Sequence, residues 1–206
     1  EIMPSLVGSE MCIRDRQKSN ENLWKNIFEK LNRWLVTKGM WRDYTLFRKV
    51  IVEGIYPMHP ISTFMLTQLS DYLQNRSSLT LISQYIDNSK EVDISNNEFL
   101  IMPETLMRGD LYTEMLAAEQ EGKQPSQQCI RFDNIMRKYG DKLSEKSLVV
   151  LRANLILRIL RFRTKDYADA KEALSVCSGF SISEIEEELK WLENEYAVLG
   201  LSLIHI

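Results

Sequence analysis

The sequence has little of what most catalytic and covalent chemistry needs. It holds 3 cysteines, 2 histidines and 8 glycines among 206 residues. Cys12 and His205 stand in terminal stretches set apart below, which leaves Cys129, Cys177 and His59. So few thiols in so long a chain argue against a disulfide scaffold and for a reducing, cytoplasmic setting. A structural zinc site needs Cys/His pairs at short spacing, and none occurs, so no metal site is expected. The G-x-x-x-x-G-K-[ST] loop that cradles phosphates is missing as well, because Gly122-Lys123 has no strand before it. No apolar run is long enough to span a membrane, and no credible signal peptide opens the chain. Charge of one sign is also lacking: 26 Lys and Arg stand against 29 Asp and Glu, for a net charge of -3. A chain so balanced is not chiefly a neutraliser of phosphates, although a local basic patch stays open.

What is present begins with apolar material, 44% of the residues, enough for a real core. The two ends stand apart from it. Residues 6–15 back-translate to a transposase-type sequencing adapter, and Leu201 to Ile206 to the inverted transposon end. Residues 1–16 and 201–206 are therefore expected to be non-native and are excluded from the fold. The remainder is expected to be an internal or C-proximal fragment of a larger protein. It divides into a helical lid-like domain over 17–119, a polar Gly- and Pro-broken linker over 120–127, and a winged-helix-like domain over 128–200.

The fold class expected is mostly α. Residues 21–38 carry Leu23, Ile27, Leu31, Trp34 and Leu35 on one stripe, the 3.6-residue period of an amphipathic helix. Asn20 is its expected N-cap and Gly39 its stop. A second helix is expected over 44–53, closed by Gly54. Pro57 and Pro60 then force an extended stretch and place Pro60 first in a helix over 61–73. That helix is apolar on too broad a face to lie at the surface. Further helices are expected over 78–86 and 104–119, with polar loop over 87–97 and a short strand over 99–102.

The second half reads as helices over 127–139, 145–162 and 166–177, with Ser144 capping the second. Leu148, Leu151, Leu155, Ile159 and Phe162 face inward on the second of these. A last helix, running to about 197, opens on a capping box of Ser183 and Glu186. Long helix, short helix, tight turn, helix is the outline of a winged-helix or helix-turn-helix unit. Its presumed recognition helix is rich in carboxylates, offering only Lys190 and Asn194 for base reading, so it suits packing or partner docking better than DNA. The better nucleic-acid candidates are Arg158, Arg161, Arg163 and Lys165, in a basic run that begins at Arg152. The alternative for that run is a solvated helix face paired with nearby acids.

One segment carries a family resemblance. Gly54, Tyr56, Pro57, His59 and Pro60, then Gln74, Asn75 and Leu79, resemble the part of large bacterial AAA-like P-loop ATPases in which G-x-Y-P-L-H-P leads through an apolar helix to Q-N-E-R-(S/T)-L. Met58 replaces the leucine. Arg76 stands one residue before the family's arginine, which aligns with Ser77. The resemblance covers residues 46–86 and extends more loosely through the helix-turn-helix region. It implies a lid behind an ATPase core, with Arg76 sensing nucleotide phosphates and His59, Asn75 and Gln74 holding the turn. ATP and Mg would be bound by the parent protein alone, none by this fragment, which has no catalytic residue of its own. The expected partners are the ATPase core of the same chain and either phage-defence proteins or DNA, with no membrane. A helix-turn-helix transcription regulator and a helical protein-interaction scaffold are the alternatives. For His59 the plainer alternative is a half-buried turn residue.

Overall fold

The computed structural model describes residues 21–56, 58–69, 83, 101–123 and 126–196. Over these the fold is helical, as the sequence leads one to expect, and the one strand-like contact is an isolated parallel bridge between Met58 and Ile101. Asn20 and residues 78–82, 84–97, 99 and 100 lie outside this set, so the Asn20 cap, most of the helix expected over 78–86, the polar loop and the start of the short strand do too.

Helix α1 (Glu21–Trp34) buries Trp24, Ile27, Leu31 and Trp34. It stops four residues short of the expected end because Asn32 draws the following chain back over it. The Asn32 amide donates to the carbonyls of Phe28 and Trp41, both at 2.9 Å, and its oxygen accepts from Thr37 Oγ1. A 3-10 turn (Gly39–Trp41) follows, opened by Gly39 at φ +59°.

Asp43 caps α2 (Tyr44–Leu46) by accepting from the Leu46 amide at 3.0 Å. The helix expected over 44–53 then widens into a π-helical stretch (Phe47–Val52) that buries Phe47, Ile51 and Val52. Gly54 ends it, since a Cβ there would meet the Val50 carbonyl oxygen at 2.4 Å. Helix α3 (Pro60–Gln68) begins on Pro60, and every residue from Pro60 to Leu66 is buried. That all-round burial agrees with the width of its apolar face. A proline at the first helical position sacrifices no bonded amide.

The helix expected over 104–119 is two elements. A 3-10 helix (Pro103–Arg108) meets α4 (Asp110–Gln120) at Gly109, which is extended. Helix α5 (Gln128–Tyr139) is followed by a 3-10 turn (Gly140–Lys142) and α6 (Glu145–Ile159). Helix α6 is the axis of the molecule. Nine of its residues are buried, and it packs against α5, α7, α8 and the 103–108 helix. The inward stripe is accordingly wider than expected: Leu151, Leu155 and Phe162 are buried, Leu148 and Ile159 only partly, and Val149, Val150 and Ile156 are buried beside them. It ends earlier than expected because Arg161 takes a left-handed φ of 54°, letting the Phe162 amide reach the Leu157 carbonyl at 2.9 Å.

Helices α7 (Tyr167–Ser178) and α8 (Ile182–Tyr196) are joined through Gly179 at φ +80°. The capping box is shifted from the expected pair. Ser181 and Glu184 exchange it, the Ser181 amide donating to Glu184 at 3.0 Å and the Glu184 amide to Ser181 Oγ at 3.3 Å. Glu186 is instead held by Lys171 of α7.

One apolar core runs through both halves, from Trp24 on α1 to Leu192 on α8. The 103–108 helix, N-terminal to the 120–127 segment, packs on α6 and α7 beyond it. Helix α1 is clasped to α7 as well. Trp34 packs on Phe162 with ring centroids 5.7 Å apart, and Trp34 Nε1 donates to Asp169 at 2.9 Å. Arg33 pairs with Asp169 at 2.7 Å and Glu172 at 2.5 Å, and Lys30 with Glu172 at 3.0 Å. The 120–127 segment thus connects helices that share a core.

Candidate functional site

His59 follows a turn, the Met58 amide donating to the Ile55 carbonyl at 3.0 Å in place of the expected extended stretch. It is 2% exposed, which replaces the half-buried turn histidine of the plainer alternative. Pro60 follows it as the first helical residue, and the histidine acts as the N-cap of α3: its Nδ1 accepts from the Ile61 amide at 3.1 Å. An imidazole that accepts at Nδ1 is neutral, with its one proton on Nε2. Burial keeps it so, lowering its pKa from 6.5 to about 3. The same turn is fastened to residue 101, whose carbonyl accepts from the His59 amide at 3.1 Å and from Ser62 Oγ at 2.9 Å. These bonds make the hinge a rigid corner. A sealed, neutral histidine is no base for a solvent-borne substrate; its chemistry here is hydrogen bonding. Gln74, Asn75 and Arg76 lie outside the described residues, as does Pro57.

The basic run divides. Arg152 is inside an ionic cluster with Glu145 at 3.4 Å and Glu104 at 3.9 Å, and Glu104 in turn receives Arg108 through two hydrogen bonds of 3.0 Å. Arg152 therefore leaves the set of nucleic-acid candidates: its charge is used in tying α6 to the 103–108 helix. Arg161, Arg163 and Lys165 are exposed on the α6–α7 loop, and Arg158 is half-buried one helical turn earlier. Burial, and then the like charge of Arg131 on α5, lower the pKa of Arg158. Arg131 escaped the sequence reading because its proximity to Arg158 is set by how α5 packs on α6, which no spacing along the chain encodes.

Helix α8 buries Ile185, Leu189 and Leu192 and exposes Ser183, Glu187, Lys190, Trp191, Glu193, Asn194 and Glu195. Its outer face is thus mainly acidic. Neither thiol has nucleophilic character. Burial raises Cys129 to about 12, with Glu119 adding to the effect, and burial alone raises Cys177 well beyond its ordinary value. Glu119 is spent on structure, accepting from the Ile130 amide at 3.1 Å in the first turn of α5. Among the described residues no group of three or more His, Cys, Asp and Glu side chains converges to hold a metal ion, and no helix is long and apolar enough to cross a membrane. No family model, curated protein or solved structure matches the chain.

Proposed function

We propose that this chain is a non-catalytic helical piece of an AAA-like P-loop ATPase, comprising a lid-type element around α3 and a winged-helix-like unit in α6–α8. The observation that carries the proposal is the corner at Tyr56–Pro60. The residues that resemble the ATPase motif, Tyr56, His59 and Pro60, build a turn whose histidine caps a wholly buried helix. Such a corner moves as one piece with α3, which is what a lid must do when it shifts against a core as a rigid body.

ATP and Mg do not fit this chain by itself. The sequence has no phosphate-cradling glycine loop, and the described residues gather no metal ligands. Both would be held by a core elsewhere in the parent protein. Within the winged-helix-like unit the outer face of α8 is assigned to partner docking, because it presents Glu187, Glu193 and Glu195, which phosphates would repel. That same face argues against the transcription-regulator alternative.

Two measurements test the proposal. The parent reading frame should contain G-x-x-x-x-G-K-[ST] upstream of residue 17, and its absence there would overturn the assignment. Calorimetric titration of the 206-residue chain with ATP should show no binding at micromolar concentration. Micromolar affinity would demand a phosphate cradle that the sequence does not provide, and would equally overturn it.

A further inference from the structure

The fold pairs several of its arginines with carboxylates, and a group of others gathers at one place. Among the described residues Arg33, Arg48, Arg108, Arg137 and Arg152 each contact a carboxylate within 4 Å. Arg131, Arg161 and Arg163 contact none among the described residues, nor does Arg42, which donates instead to Thr37. Arg161 and Arg163 occupy the α6–α7 loop, and Arg131 lies close enough to Arg158 for their like charges to repel.

The loop that carries them is firmly built. Phe162 is buried against Trp34, and the Arg163 amide donates to the Trp34 carbonyl at 2.8 Å. Through the loop, buried and exposed side chains alternate. Phe162 turns inward and Thr164 is half-buried, while Arg161, Arg163 and Lys165 stay exposed. Arg161 stands in the left-handed conformation that normally goes to glycine at a helix end. The carboxylates nearest in sequence are largely committed. Asp169 and Glu172 hold α1, Asp169 also accepts from the Lys165 amide, and Asp166 caps α7 through the Asp169 amide.

We propose that Arg131, Arg158, Arg161, Arg163 and Lys165 form a track that binds the phosphate backbone of nucleic acid without reading its sequence. Guanidinium forks match phosphate oxygens in pairs. An acidic peptide is the poorer fit, because residues 158–167 expose one large apolar side chain, Tyr167, to anchor it. Arg161, Arg163 and Lys165 stand on a loop rather than on a helix or strand that could enter a groove, so the contact assigned is to phosphate. The track does not depend on the ATPase assignment and survives its failure.

The test is fluorescence anisotropy of the whole chain with a labelled 20-mer of deoxythymidylate. Five cations on a single strand give a log-log salt slope of about -3.5, or about a 100-fold loss of affinity between 50 and 200 mM salt. The triple variant Arg161→Gln, Arg163→Gln, Lys165→Gln should reduce that loss to about 10-fold. The double variant Arg163→Gln, Lys165→Gln leaves the left-handed residue alone and should fall between the two. Lys190→Gln, on the outer face of α8, should change nothing. The proposal is overturned if the chain does not bind at 50 mM salt, if either loop variant binds with the parental salt slope, or if polyglutamate of equal charge competes as well as unlabelled oligonucleotide.

Discussion

The hinge at His59 and the clasp between α1 and α7 fasten the same fold by opposite means. The hinge is sealed. It holds a neutral imidazole, two backbone-directed hydrogen bonds at residue 101 and apolar neighbours. The clasp is half open, with Arg33, Lys30, Asp169 and Glu172 arranged around the Trp34–Phe162 contact. Exposed ion pairs contribute little each, typically under about 1 kcal/mol, whereas a buried donor left without its acceptor costs about 1–3 kcal/mol. The two junctions should therefore fail differently.

The largest effect is expected from Trp34→Ala. It removes a fully buried indole that packs on Phe162 and donates to Asp169, and should lower unfolding free energy by about 3–5 kcal/mol in urea denaturation. A loss near that of Arg33→Gln, expected to be under about 1 kcal/mol, would mean that the clasp is held by its charges. Next comes His59→Ala, which strips the cap from α3 and should cost about 1–3 kcal/mol by the same measurement. His59→Asn retains a capping side chain and should recover part of that loss.

Acid separates the junctions by pH window. His59 has a folded pKa of about 3 against an ordinary 6.5, so the unfolded chain takes up its proton first. The neutral hinge contributes full stability above about pH 6.5, and loses it progressively as pH falls toward 3. Asp169 and Glu172 behave similarly but lower. Burial works against their charge, yet hydrogen bonds from Trp34 and the Lys165 amide, and from Lys30 and Arg33, hold them below their ordinary 3.8 and 4.5. Their share is present above the carboxylate range and disappears only beneath it. Denaturation between pH 7 and 5 should flatten in His59→Asn and stay unchanged in Asp169→Asn. An unaltered slope in His59→Asn would show that the imidazole titrates alike in the folded and the unfolded chain.

Much of the hinge was legible because proline has few options. Pro60 could only begin α3, and an apolar face as broad as that around Phe64, Met65 and Leu66 could only be buried. Cap positions were less legible. Both Ser181/Glu184 and Ser183/Glu186 satisfy the S-x-x-E spacing, and the choice between them is made in three dimensions, where Lys171 takes Glu186. The early end of α1 depends on Asn32 reaching the carbonyl of Trp41 across the turn. The basic run was half legible: its charges are plain in the sequence, but only packing reveals that Arg152 is neutralised and that Arg131 adjoins Arg158.

The π-helical stretch Phe47–Val52 has a consequence for insertions and deletions. A π-bulge amounts to one residue more than an α-helix would use. Excising a single residue there, Lys49 for example, would let the segment relax to ordinary α-helical winding, at about 100° per residue. Because the extra residue is what the widened turn absorbs, the chain downstream would keep its direction, and His59 could still meet residue 101. A one-residue deletion in this helix should therefore be better tolerated than one in the middle of α1 or α6, where regular winding has no residue to give up.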